Sequence, residues 1–300
     1  MLVEKSVAYW GKAGHRSVAR SAMTEAAAQF QMGLDQLGPD TPERQRQELE
    51  FWSALGAVLI AVKGQAAQEA GDAYARALEL WERLGSPSQF LYVPYGQSVY
   101  LMYRGELDRA MRLDQDLLHL SYQRIDSAGV MTGHYSSGRT QMYAGKFASS
   151  RSHLGEKLAL YDPVSHRSLV QRARFLQAVS QAYLGIVLYC LGFPDQALAQ
   201  TSAAIVAARR LAHPPSLAVI LVLDIRLHLL VGDEAFVAER TGQLVAVTTE
   251  QGFSFLRAQG TIYRGWVKVK NGDVTEGMSL LRSGSAAYRA TGGGDAGALF

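Results

Sequence analysis

The sequence predicts an all-α protein, a right-handed superhelical solenoid of about seven helical hairpins. Loop glycines recur at separations of 40, 47, 40 and 40 residues: Gly105, Gly145, Gly192, Gly232 and Gly272. Small residues often lie seven positions before and five positions after them, which favours close crossing of two helices. No segment shows sustained period-two alternation, so nothing indicates a β-sheet.

The first two hairpins follow from the same spacing extended toward the N-terminus. Trp10 and Gly14 precede a turn near Ser21, and Thr41-Pro42 has the N-cap and first-residue proline of a helix start. Gly64 supplies the next turn.

The later hairpins are bounded by glycine and proline signals. Gly85-Ser86-Pro87-Ser88 separates the second hairpin from the third, and Asp162-Pro163 ends the fourth. His213-Pro214-Pro215 ends the fifth, because proline cannot continue a helix; Gly252 ends the sixth. The predicted hairpins cover about residues 1–38, 42–85, 88–125, 128–162, 170–212, 215–252 and 254–292 of one repeat domain, and residues 293–300 are either a flexible tail or a truncated next repeat.

Composition indicates a soluble, reduced protein. The net charge is only +3 over 300 residues, and the basic residues are scattered, so no nucleic-acid surface is expected. Cys190 is the one cysteine, which excludes an internal disulfide, and its apolar neighbours predict a buried, unreactive thiol. The apolar run 216–231 is interrupted by Asp224, Arg226 and His228. We therefore expect no membrane span and a cytoplasmic location.

Catalytic motifs are weak. Gly133–Thr140 resembles a phosphate-binding loop but has Arg139 in place of the lysine and falls inside a predicted helix. The histidines form no i, i+4 pair, so no metal site is expected. We expect no cofactor and no enzymatic activity; a nucleotide cyclase or a hydrolase with dispersed residues is the alternative class.

A candidate binding groove lies on the first helices of the middle hairpins. In a helical solenoid these helices tend to line the concave face, where aromatic and arginine side chains suit recognition of a peptide or protein. The alternative is that the tyrosines pack between helices. The predicted groove residues are Tyr92, Tyr95, Tyr100, His134, Tyr135, Arg139, Arg174, Gln177 and Gln181.

The repeat pattern resembles the tetratricopeptide repeat. An aromatic residue, a small residue, a turn glycine and an alanine follow one another, most clearly at Trp10–Gly14–Ala26 and at Ala182-Tyr183-Leu184-Gly185 with Gly192 and Ala197. The resemblance assigns structural roles to Trp10, Gly14, Gly105, Ala110, Gly138, Gly145, Gly185, Gly192, Ala197, Gly232, Gly265 and Gly272.

A narrower resemblance comes from short strings spread over residues 8–292. They include Leu160-Tyr161-Asp162-Pro163, Leu191-Gly192-Phe193-Pro194-Asp195, Leu211-Ala212-His213-Pro214 and Tyr288-Arg289-Ala290-Thr291-Gly292. Together they resemble the tetratricopeptide tail of bacterial proteins that join a class III adenylate/guanylate cyclase domain to an AAA-type ATPase domain.

The resemblance implies a non-catalytic interaction and scaffold module, either the regulatory tail or an orphaned fragment of a cyclase–ATPase signalling protein. Its partner would be a protein or peptide, including upstream cyclase and ATPase domains. The effector-binding repeat domain of a transcriptional regulator is the alternative. The apolar C-terminus, Ala298-Leu299-Phe300, also allows a homodimer through the terminal repeats.

Overall fold

The computed structural model describes residues 2–20, 22–38, 41–160, 170–211 and 213–291. These residues fall into two compact units, one reaching Gly129 and the other spanning Val130–Ala290. Every regular element within the described ranges is helical. The all-α prediction is therefore confirmed.

The first unit contains three helical pairs. Their helices are α1 (Leu2–Ala19), α2 (Met23–Asp35), α3 (Pro42–Lys63), α4 (Gln68–Arg83), α5 (Tyr92–Tyr103) and α6 (Leu107–Gln123), with a 3-10 turn at Ser88–Phe90. Thr41 caps α3 by accepting a hydrogen bond from the Arg44 amide at 3.2 Å. Pro42 follows it at the first helical position, as the sequence predicts.

The second unit contains four pairs, and its first helix begins three residues before the unit boundary. The helices are α7 (Ser127–Tyr143), α8 (Phe147–Ala159), α9 (Val170–Cys190), α10 (Pro194–Leu211), α11 (Pro214–Val231), α12 (Glu234–Gln251), α13 (Ser254–Lys270) and α14 (Val274–Ala290). No helix of these pairs extends more than one residue beyond the ranges given above, and the division of the chain into seven hairpins stays a prediction.

The five recurring glycines form one type of turn between paired helices. Each has a positive φ, between 72° and 89°, in the left-handed region that a residue without a Cβ enters at low cost. The residue after each glycine donates its amide to a carbonyl five positions back, as Glu106 does to Leu101 at 2.9 Å. Each hairpin is therefore closed by its own backbone hydrogen bonds.

The turn between α6 and α7 has the same hydrogen bonding but a different residue. Ile125 stands at the left-handed position with φ 54° and is 92% exposed. The amide of Asp126 still donates to the Ser121 carbonyl at 3.0 Å. A β-branched residue is strained at positive φ, so this turn forms despite its local sequence.

Small residues occupy the points where paired helices cross. A Cβ added at Gly138 would lie 2.7 Å from the Leu154 side chain, and one at Gly185 would lie 2.1 Å from the Thr201 hydroxyl. At Gly265 the added Cβ would lie 2.8 Å from the Gly277 carbonyl oxygen. These distances are too short for any side chain, which explains the small residues in the repeat pattern.

Helix α11 is long and apolar enough to cross a membrane by length and composition alone. In this structure 61% of its apolar window is buried, and it packs against α9, α12 and α13. Asp224 and Arg226 are buried within it, and Arg240 of α12 donates to Asp224 at 2.7 Å. These features are those of a core helix in a helical repeat.

Candidate functional site

A buried arginine joins three first helices of the second unit. The Arg226 guanidinium of α11 donates to the Tyr143 hydroxyl of α7 at 2.8 Å. It also donates to the Tyr263 hydroxyl at 3.2 Å and to Gln259 Oε1 at 3.3 Å, both on α13. We call these four residues, together with Tyr288 of α14, the Arg226 cluster. Because Tyr143 and Arg226 are 83 positions apart, the cluster is assembled only by folding.

The electrostatics of the Arg226 cluster follow from burial. Arg226 is 5% exposed, and its guanidinium keeps its charge at all physiological pH values. Burial raises the pKa of Tyr288 to about 12, with Arg226 opposing the shift, so that phenol is neutral at pH 7. The hydrogen-bond partners Tyr143, Gln259 and Tyr263 are uncharged side chains. The cluster therefore places a positive charge among neutral hydrogen-bonding groups.

A row of aromatic rings extends the cluster onto α9. The Tyr183 ring lies 6.5 Å from that of Tyr143 and 6.2 Å from that of Tyr135, measured between centroids. The Arg139 guanidinium lies 5.4 Å from the Tyr135 ring centroid, within range of a cation–π interaction. We define the inner wall of the second unit as the side chains of α7, α9, α11 and α13 joined by these contacts.

Helix α7 also buries polar atoms that have no hydrogen-bond partner among the described protein residues. They are Ser137 Oγ, Thr140 Oγ1 and Gln141 Oε1, in side chains no more than 6% exposed. Buried polar groups are rarely left unsatisfied, because each costs about 1–3 kcal/mol. Helix α7 therefore carries buried polar side chains as well as apolar packing residues.

The predicted groove tyrosines of α5 form packing and hydrogen-bond contacts within the first unit. Tyr100 is buried and donates to Gln68 Oε1 at 3.0 Å, while its ring packs on Gly71. The Tyr92 hydroxyl lies 3.3 Å from Ser53 Oγ, and Tyr95 packs against a core cluster with members from α3, α4, the start of α5 and α6. These contacts match the packing alternative, and a binding role for the three tyrosines stays a prediction.

The remaining predicted groove residues lie in the second unit. Tyr135 and Arg139 belong to the inner wall described above. His134 Nδ1 lies 3.1 Å from His153 Nδ1 of α8, and burial, followed by the charge of His153, lowers the pKa of His134. Gln177 accepts a hydrogen bond from the buried Lys157 at 2.8 Å.

Two further groove predictions, Gln181 and Arg174, also lie on α9. Gln181 is half-buried. The side chain of Arg174 lies outside the described residues, although its backbone is in α9. The binding roles of both stay predictions.

Sequence reasoning missed four members of the Arg226 cluster, Tyr143, Gln259, Tyr263 and Tyr288. Arg226 itself drew attention only as an interruption of an apolar run. That interruption was the available signal, because a charge within an apolar, buried helix needs hydrogen-bond partners from elsewhere in the fold. The identity of those partners could not be read from local spacing.

Two chemical expectations can be compared with the structure. The expectation that Cys190 is buried is wrong: its thiol is exposed, because the residue ends α9 beside the turn. Partial desolvation still raises its pKa, as expected. Gly133–Thr140 lies wholly within α7, where a helical backbone cannot wrap a phosphate. Among the described residues no group of three or more His, Cys, Asp or Glu side chains could hold a metal ion.

Comparison with solved structures identifies a shared fold. The structure of apo RapI aligns with a TM-score of 0.67 at 15% identity, covering 95% of this chain and 98% of RapI. A Rap protein complexed with competence and sporulation factor gives 0.65 at 14% identity, covering 96% and 88%. The Rap conjugation gene regulator of plasmid pLS20, in complex with the Phr* peptide, gives 0.67 at 14%, covering 93% and 72%.

These likenesses establish the class of fold, a tetratricopeptide-like helical repeat similar to that of Rap proteins. No protein-family model matches the chain, and no curated protein matches its sequence. The broad resemblance drawn from the sequence, to tetratricopeptide repeats, is thereby confirmed.

Proposed function

We propose that this protein is a non-catalytic regulatory protein that recognises a peptide on the inner wall of its second unit. The observation that carries the proposal is the shared fold with Rap structures, two of which are complexes with peptides. The module would act through binding, and its partner would be a protein or peptide.

The Arg226 cluster supplies the chemistry for such recognition. An extended peptide exposes backbone carbonyl and amide groups that hydroxyl and amide side chains can satisfy. Tyr143, which is half-buried, is the most accessible hydroxyl bonded to Arg226. A peptide carboxylate or carbonyl that replaced this hydroxyl would accept a charge-assisted hydrogen bond from the guanidinium, stronger than the neutral one it displaces.

Selection from a peptide library tests the proposal on the full chain. The protein is incubated with short random peptides bearing free carboxyl termini, and peptides that co-elute with it in size-exclusion chromatography are sequenced by mass spectrometry. We expect a defined subset to be enriched. The enrichment should be lost in Arg226→Gln and kept in Arg282→Gln, which changes an exposed arginine on α14 of the same unit.

Two results would contradict the proposal. The first is a library that emerges without enrichment. The second is enrichment that survives Arg226→Gln while circular dichroism shows the variant to be folded, because the inner wall would then not be the binding surface. A parallel library with amidated C-termini distinguishes recognition of the terminal carboxylate from recognition of backbone carbonyls.

The link to cyclase–ATPase signalling proteins is a finer proposal, supported by the short sequence strings alone. A cytoplasmic location and a homodimer through the terminal repeats belong with it as proposals from the sequence. Light scattering coupled to size-exclusion chromatography tests the dimer directly: a mass near the 32.7 kDa of one chain at micromolar concentration would contradict it.

A further inference from the structure

The first unit contains a cavity that the peptide-binding proposal does not use. It lies between the C-terminal half of α4, the start of α5 and the C-terminal half of α6, and its volume is about 290 Å³. This is near the lower end of the range for small-ligand pockets, and is large enough for one or two amino-acid side chains.

The floor of the cavity is apolar and rigid. It is formed by Trp81, Pro94, Leu113, Leu117 and Leu120. The Trp81 indole donates to the Pro87 carbonyl at 3.0 Å, which fixes the ring, and Trp81 and Leu117 belong to the hydrophobic core of the unit. The floor is therefore pre-formed, so that little ordering would accompany binding.

The rim of the cavity is acidic. Glu82 of α4 and Asp116 of α6 line it with exposed carboxylates, and neither forms an ion pair within the described part of the chain. Arg124 lies at the same edge, because its guanidinium donates to the carbonyl of Ser86, which also lines the cavity, and to that of Gly85 at 2.9 Å. Within the described residues its hydrogen bonds go to these backbone carbonyls and not to either carboxylate. The remaining polar pair, His119 and Gln123, hydrogen-bond each other at 2.8 Å.

We propose that this cavity binds an arginine side chain, flanked by apolar residues, from a protein partner. The aliphatic part of an arginine covers apolar surface while its guanidinium stays at the wet edge, which matches an apolar floor below two carboxylates. Arginine suits the rim better than lysine because its planar group presents several donors in fixed directions, enough for Glu82 and Asp116 together.

The proposed cavity site is independent of the proposed peptide function, since every residue that lines it belongs to the first unit. Failure of one proposal therefore leaves the other intact, and each has its own variant. Arg226→Gln should abolish library enrichment but leave binding at the cavity unchanged.

Nuclear magnetic resonance of the tryptophan indoles tests the proposal on the full chain. The protein has four tryptophans, so 15N labelling gives four indole signals, and Trp81→Phe identifies the relevant one. The probe is acetyl-Leu-Arg-Leu-amide, and acetyl-Leu-Gln-Leu-amide is its matched control. We expect the arginine peptide to shift the Trp81 signal saturably, and the glutamine peptide to bind about fivefold more weakly or worse.

Charge variants make the test specific. Glu82→Gln with Asp116→Asn should weaken the arginine peptide about fivefold, which corresponds to two exposed ion pairs. Asp195→Asn with Glu250→Gln removes two exposed carboxylates from the second unit and should leave the affinity unchanged. In the unaltered protein, raising sodium chloride from 50 to 500 mM should weaken the arginine peptide, which keeps the test valid even if a variant misfolds.

Three results would overturn the proposal: a Trp81 signal that does not move, equal shifts from both peptides, or an arginine affinity that neither salt nor the rim substitutions reduce. Equal shifts would show that the cavity takes apolar side chains without regard to charge.

Discussion

Two of the cationic side chains buried in the second unit, Lys157 and Arg226, are accommodated in different ways. Lys157 of α8 is 1% exposed and donates to the Gln177 amide oxygen at 2.8 Å, and burial lowers its pKa to about 7. Arg226 of α11 is 5% exposed and donates to Tyr143, Tyr263 and Gln259. Lys157 can lose its proton and become neutral, which avoids the cost of burying a charge, whereas Arg226 stays charged.

This difference in titration determines which hydrogen-bond partners the fold has to supply to each side chain. A buried ammonium that deprotonates near neutral pH needs few partners, because its neutral form is tolerated. A guanidinium keeps its charge, so the fold brings together hydroxyl and amide oxygens from α7 and α13 to solvate it. The permanent charge of Arg226 in the inner wall thus depends on partners that the tertiary structure brings together. The titration of Lys157 follows from the burial of that one side chain.

The largest expected effect is the pH dependence that Lys157 gives to stability. The unfolded chain keeps the lysine proton up to its ordinary pKa near 10.5, whereas the folded chain releases it at about 7. Between these values the unfolded state binds more protons, so the free energy of unfolding rises with pH. We expect a gain on the order of 2–3 kcal/mol between pH 7 and pH 9 from this group, measured by urea unfolding.

Lys157→Met isolates that contribution. The variant should be more stable than the parent at pH 7, because methionine fills a similar volume without a charge, and its stability should rise less between pH 7 and pH 9. Identical pH profiles for parent and variant would show that Lys157 is not the titrating group.

Arg226→Met is expected to have the next largest effect. It removes the donor for two hydroxyls and one amide oxygen, and should lower the free energy of unfolding by about 2 kcal/mol. The loss should be the same at pH 7 and pH 9, in contrast to the lysine. Arg282→Met on the exposed face of α14 should change stability by less than about 0.5 kcal/mol. A loss at Arg226 no larger than that of this control would mean that the cluster contributes little.

The smallest expected effect is the coupling between Arg226 and Tyr143. Tyr143→Phe should cost about 1 kcal/mol alone, and much less once Arg226 is methionine, because their 2.8 Å hydrogen bond is then already lost. Tyr100→Phe, which removes a hydrogen bond to Gln68 in the first unit, should have a similar cost in both backgrounds. Urea unfolding of the parent, the two single variants and the double variant in each cycle measures both couplings. If the costs of Tyr143→Phe and Arg226→Met simply add, the result would contradict their direct interaction.

The parts of the fold that sequence could predict are those determined locally. Gly105, Gly145, Gly192, Gly232 and Gly272 marked turns because a left-handed residue leaves a recognisable signature. The small residues at Gly138 and Gly185 marked helix crossings for a similar steric reason. Both signals depend on a few neighbouring residues and on one spacing, so they need no knowledge of distant contacts.

The candidate site was harder to predict because its contacts are distant in sequence. Tyr100 and Tyr143 both lie in the last turn of a first helix, yet one bonds to a glutamine 32 positions away and the other to an arginine 83 positions away. Ile125 illustrates the same limit for turns, since nothing in its side chain predicts a left-handed backbone. In neither case does the neighbouring sequence indicate which partner the tyrosine bonds to or which backbone conformation the turn residue adopts.

The self-contained turns have a consequence for how the chain folds during synthesis. At Gly105, Gly145, Gly192, Gly232 and Gly272 the closing hydrogen bonds join residues only five positions apart. A hairpin can therefore close as soon as its second helix has left the ribosome, before the rest of the protein exists. The Arg226 cluster can form only later, because Tyr263 and Tyr288 are translated long after Tyr143. The hydrogen bonds of Arg226 to Tyr263 and Gln259 therefore cannot form before α13 has been synthesised.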